Sequence, residues 1–252
     1  VIISLGMIRK KELPFEFKLS YVRFYKEHVK KILALGIPIG LQSGLVNISF
    51  LAITAIVNGM GVIVSAGVGV TEKLTGFIML VPSSFMQSLS AFVAQNYGAG
   101  EEERAKKGMF YAIGISFAIG IFMSYFCVFH GHLLTGIFAS DAAVSAAAAE
   151  YLKAYAFDTV FVTIMFCMVG YFNGLGKTTF VMIQGVVGAF GVRIPLAFYI
   201  SQLPNTTLFM VGLATPSSTV VQIVMCVVYY RYLRKKENLS MQKNQKCVKI
   251  MK

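Results

Sequence analysis

Six long apolar stretches dominate the chain, at residues 33–58, 63–96, 108–130, 142–172, 178–201 and 207–230. At 1.5 Å per residue each is long enough to cross a hydrocarbon core about 30 Å thick as a helix. In lipid the backbone has to satisfy its own hydrogen bonds, which leaves helices as the form that such stretches take. The expected fold is therefore all-α, a membrane protein built as a six-transmembrane-helix bundle. With only 13% charged residues against the roughly 25% of soluble domains, a water-soluble fold is excluded.

The net charge of +12 raises nucleic acid as a partner, and the position of the charges decides the matter. Basic residues gather at 9–31, 104–107, 177 and 231–252, whereas the alternate connections near Gly59, Gly131 and Leu203 contain no Lys or Arg. This is the positive-inside pattern of a multi-pass membrane protein, so the lipid bilayer and not nucleic acid is the expected partner. It places both ends of the chain in the cytoplasm. Residues 1–7 (VIISLGM) read as the end of a preceding apolar helix, and 8–32 as an amphipathic linker along the inner membrane surface. Residues 33–230 form the bundle and 231–252 a basic tail.

Four prolines, Pro38, Pro82, Pro195 and Pro216, fall inside the first, second, fifth and sixth stretches. Each is expected to bend its helix. Small residues such as Gly185, Gly188 and Gly191 allow close helix approach. Cys127, Cys167, Cys226 and Cys247 form no close pair and read as neither disulfide nor zinc ligands. Residues 174–179 (GLGKTT) end like a phosphate-binding loop but lack its first glycine, where Tyr171 stands. His130 and His132 have no third ligand nearby, so no metal site and no resident cofactor is expected.

Charge inside an apolar helix is the most informative local feature, since each ionised group near the bilayer centre costs about 2.5–3.5 kcal/mol. Glu72, Lys73, Asp158 and Arg193 are such groups. With the basic connections inside, Glu72 lies about 13 Å deep, Asp158 about 20 Å or less and Arg193 about 12 Å. Asn47 of the first stretch, about 16 Å from its outer end, falls in the same slab. These groups are expected to face the bundle interior. One reading makes them fixed ion pairs, Glu72 with Arg193 or Asp158 with Lys73. The other makes Asp158 or Glu72 a carboxylate that exchanges a proton or binds Na⁺, with Arg193 and Lys73 as charge partners. Gln42, Asn47 and Gln184 are candidates for lining a polar path, while Gln87 and Gln222 read as interhelical glue. Glu150 and Lys153, three apart, read as an ordinary interfacial pair.

Residues 90–100 (SAFVAQNYGAG) followed by 101–107 (EEERAKK) resemble the multidrug and toxic compound extrusion (MATE) family. Residues 36–40 (GIPIG), 170–179 (GYFNGLGKTT) and 192–195 (VRIP) extend the likeness along the chain. The resemblance implies two six-helix lobes joined by a cytoplasmic linker, this chain being the second lobe of a bacterial, clostridial-type branch. It implies export of drugs or other small organic, cationic compounds through the plasma membrane, in exchange for Na⁺ or H⁺. The missing first lobe is then a partner. Several relatives carry an acidic residue in the seventh helix, but residues 45–49 here offer Asn47 and no carboxylate. An acidic residue in the tenth helix is typical, and Asp158 is its plausible counterpart. Two alternatives stay open, a flippase for lipid or polysaccharide precursors and a non-transporting scaffold held by ion pairs.

Overall fold

The computed structural model describes residues 25–250, and among them the regular structure is entirely helical. Six helical spans are long and apolar enough to cross a membrane: Lys26–Asn58, Val62–Gly98, Glu102–Phe129, Ala142–Gly174, Thr178–Ser201 and Leu208–Glu237. The proposed end of a preceding helix at 1–7 and most of the proposed linker lie outside the described residues. From Lys26 onward the linker is helical and continuous with the first span, which begins seven residues earlier than apolarity alone predicts. The basic segment after residue 230 also continues the sixth helix, as far as Ile250. The chain divides into two compact units, residues 1–37 and 38–252, and the helix bundle from Pro38 onward is the second.

The fourth span is the axis of the bundle. Its apolar residues are spread round the helix and not confined to one stripe, as in a helix packed on several sides, and 67% of its most apolar window is buried against 11% for the first span. It packs on the second, third, fifth and sixth spans. Glycines bring the backbones together. A Cβ at Gly170 would stand 2.5 Å from the Met86 carbonyl oxygen, and one at Gly174 would stand 2.7 Å from that of Ser90. Spaced four apart, these two glycines form a small-residue groove in which the second span lies backbone to backbone. Asp141 caps the start of the fourth span, its carboxylate accepting from the amides of Ala143 at 2.7 Å and Val144 at 3.3 Å.

Three of the four prolines leave their mark four residues upstream, where a proline ring meets a carbonyl. The second span breaks at Met79, next to Ile78 and ahead of Pro82. The sixth breaks at Leu213, next to Gly212 and ahead of Pro216. In the fifth, Gly191 lies inside a π-helical segment, Val187–Arg193, that ends just before Pro195. Pro38 leaves the first helix unbroken. The second and fourth spans end alike. Gly100 (φ 81°) and Gly176 (φ 71°) adopt the left-handed conformation, and the next amide reaches back five residues, Glu101 to Asn96 at 2.9 Å and Lys177 to Phe172 at 2.8 Å. The GLGKTT stretch is thus a helix stop followed by a helix start.

Glu150 and Lys153 do not pair within 4.0 Å. Glu150 instead accepts from the backbone amide of Phe209 at 3.3 Å, at the start of the sixth span. Unsatisfied amides at a helix N-terminus attract a carboxylate.

Candidate functional site

A cavity of about 450 Å³ opens along the fourth span from Tyr155 to Asn173. The first span contributes Gln42, Asn47 and Phe50, the second Thr75, Met79 and Met86, the fifth Arg193, and the sixth Thr219 and Gln222. Asp158 sits in its wall, 3% exposed. The Thr219 hydroxyl donates to Asp158 Oδ1. Thr219 belongs to a polar stripe of the sixth span with Thr215 and Gln222, spaced four and three apart so that all share one face. That spacing is the signal in the sequence that points to Thr219.

Arg193 is 6% exposed and lines the same cavity. It donates from Nη1 to Ser49 Oγ at 3.1 Å, and its guanidinium carbon lies 4.5 Å from the centre of the Phe50 ring. The hydrogen bond and the ring face compensate part of the cost of a buried cation. Its Nε is buried with no hydrogen-bond partner among the described residues. Neither Ser49 nor Phe50 stands out in the sequence, because an ordinary serine and phenylalanine become partners of Arg193 only when the first span crosses the fifth.

The π segment delivers Arg193 to this place. Its wider turns are held by Ser218 of the sixth span, whose hydroxyl donates to the Gly188 carbonyl at 2.7 Å, and Gln222 Nε2 donates to Ser218 Oγ at 3.1 Å. Gly188 leaves the room for this. A Cβ there would stand 2.2 Å from Gln222 Nε2. Gln222 is therefore both interhelical glue and cavity lining. Such π segments are rare and recur at functional sites.

The charges expected in one interior slab separate into two groups. Asp158 and Arg193 share the cavity, whereas Glu72 and Lys73 lie on the exposed face of the six-span unit. Glu72 finds its partner on another helix, and the partner is a hydroxyl: Thr54 Oγ1 donates to Glu72 Oε1 at 3.0 Å. No ion pair within 4.0 Å joins Glu72, Lys73, Asp158 or Arg193 to another described residue. Gln42 and Asn47 line the cavity, and Asn47 Nδ2 also donates to the Ser43 carbonyl at 2.8 Å. Gln184 does not line it. It is fully buried on the stripe of Val181 and Gly188, the side of the fifth span that faces the sixth. No group of three His, Cys, Asp or Glu that could hold a metal occurs among the described residues.

A family model described as MatE matches residues 38–199. The probable multidrug resistance protein YoeA of Bacillus subtilis is 22% identical over 242 residues, covering 95% of this chain and 52% of the relative. The multidrug export protein MepA of Staphylococcus saprophyticus is 27% identical over 229 residues, covering 88% and 49%. The chain thus spans about half the length of the curated relatives it matches. Among solved structures, that of MATE in complex with MaL6 superposes with a TM-score of 0.85 at 15% identity, covering 94% of this chain and 54% of that one.

Proposed function

Since the chain belongs to the MATE family, we propose that it is one six-helix lobe of a plasma-membrane exporter that moves small organic, cationic compounds by alternating access, driven by Na⁺ or H⁺. A second six-helix lobe closes the transport path, and the exposed face that carries Glu72 and Lys73 belongs to that side of the molecule. The basic connections and both ends of the chain lie in the cytoplasm.

One observation carries this reading: Asp158 is a buried carboxylate in a cavity wall, bonded to the Thr219 hydroxyl and, among the described residues, to no cationic side chain within 4.0 Å. A carboxylate so placed is costly unless it takes up a proton or a cation. It is free to do so, because no cationic side chain of the described residues pairs with it within 4.0 Å. Thr219 stabilises the ion-free carboxylate as a donor and turns its oxygen toward a bound cation, for a hydroxyl both donates and accepts. The coupling ion and a cationic substrate then compete for Asp158, and mutual exclusion at one carboxylate is what exchange requires. The absence of ion pairs within 4.0 Å among the four charges, together with the cavity beside Asp158, favours a transporter over a scaffold locked by charge.

Ion-driven uptake of ethidium into everted vesicles, carrying this chain with its proposed partner lobe, tests the assignment. Asp158→Asn is expected to lower the driven rate at least about tenfold, the scale of losing one charge-assisted contact. Glu72→Gln, on the exposed face, is the second coupling candidate and is expected to have the smaller effect. Full ion-driven uptake in both variants sinks the reading.

A further inference from the structure

Asp158 and Arg193 bring a carboxyl and a guanidinium into the wall of one cavity without touching each other. Both are more than nine-tenths buried, and no ion pair within 4.0 Å joins them. Each is satisfied only in part. Asp158 has the Thr219 hydroxyl, and Arg193 has Ser49 on Nη1 and the Phe50 ring below, while its Nε has no partner among the described residues. A guanidinium offers five N–H donors in a planar fork, and carboxylates and phosphates take two of them at once.

From this arrangement we infer that, among the ammonium-bearing compounds proposed above, the cavity binds zwitterionic ones most tightly, the ligand's oxyanion seated on Arg193 and its ammonium on Asp158. The inference rests on the substrate and ion competition proposed above for Asp158, and it adds Arg193 as the residue that determines specificity. A purely cationic ligand satisfies Asp158 but brings a second positive charge near Arg193. A purely anionic one satisfies Arg193 and meets the Asp158 carboxylate. A zwitterion serves both and still displaces the coupling ion from Asp158, so exchange is preserved. The rest of the lining suits the body of such a molecule, since Val46, Phe50, Val162 and the methionines Met79, Met86 and Met165 present apolar surface. Methionine side chains adapt to varied shapes, and about 450 Å³ lies within the range of small-molecule pockets.

Three probes with one aromatic body isolate the charge: tryptophan as zwitterion, tryptamine as cation and indole-3-propionate as anion. Their equilibrium binding is measured on the chain purified together with its proposed partner lobe, in lipid nanodiscs. Tryptophan is expected to bind about tenfold tighter than either analogue, the effect of one added charge-assisted contact. Arg193→Gln should bring tryptophan down to the tryptamine level without weakening tryptamine, and Arg193→Lys should recover part of the difference. Undiminished tryptamine binding also shows that the Arg193→Gln cavity is intact. Equal binding of the three probes overturns the inference, as does no binding of tryptophan. So does an equal loss of tryptophan and tryptamine in Arg193→Gln, which marks the arginine as purely structural. The coupling reading fails separately, if neither Na⁺ nor acid displaces tryptamine from the unmutated chain.

Discussion

Gly170 and Gly174 matter for what they leave out. Both lie in contact with backbone of the second span, at 2.5 Å and 2.7 Å from carbonyl oxygens for an added Cβ, and backbone cannot swing aside as a side chain does. Gly170→Ala and Gly174→Ala are each expected to destabilise by about 1–3 kcal/mol, the usual cost of overpacking. Gly191→Ala, whose nearest neighbour would be Val187 Cγ1 at 3.7 Å, should stay within about 0.5 kcal/mol. Unfolding midpoints in detergent separate the two cases, and equal shifts would contradict the close packing. The charged residues were legible one at a time, because an ionised group in an apolar run is conspicuous. Their partners were not. Ser49, Phe50 and Thr54 are unremarkable until helices cross, and a helix's rotation about its own axis, which sent Glu72 outward and Asp158 inward, depends on packing that spacing does not encode.

At the scale of the helices, proline told where three spans are interrupted but not how. The same ring chemistry gives a break at Met79, a break at Leu213 and a widened π segment at Val187–Arg193. The difference lies in the neighbours, because the π segment has Ser218 to hold the Gly188 carbonyl and a glycine to admit Gln222. The start of the sixth span shows a similar dependence on context. Spacing on one helix made Glu150 a partner of Lys153, whereas the amide of Phe209 from another span claims it. Glu150→Ala is therefore expected to cost about 0.5–2 kcal/mol, as loss of a helix cap does. Lys153→Ala, at an exposed position, should change stability by less than about 0.5 kcal/mol. Chemical or thermal unfolding of the two single variants decides between a cap and a salt bridge, since a salt bridge predicts equal losses.

For the molecule as a whole, the sequence laid out the six spans and their order, because hydropathy needs no tertiary information, although the first and third begin seven and six residues earlier and the sixth helix runs on past residue 230. Its charges also propose sides. The turns at Gly100 and Gly176 and the helix after residue 230 carry the basic residues, and there Lys106 joins the third span to the sixth through Glu237 at 3.1 Å and bonds Glu103 at 3.3 Å. The opposite turns, around Met60, His130 and Gln202, hold neither Lys nor Arg. If the basic side is cytoplasmic, as proposed, an impermeant maleimide applied to intact cells should label Gln202→Cys at once. It should reach Glu101→Cys only after the membrane is permeabilised. Both positions are exposed, and neither change removes a positive charge, so the variants leave the topological signal as it is. Cys127, Cys167 and Cys226 are buried and add little background, and Cys247→Ser removes the remaining thiol. The reverse labelling order would invert the molecule. It would put the basic turns outside, against the charge asymmetry that orients multi-pass proteins, and reverse the direction of the proposed export.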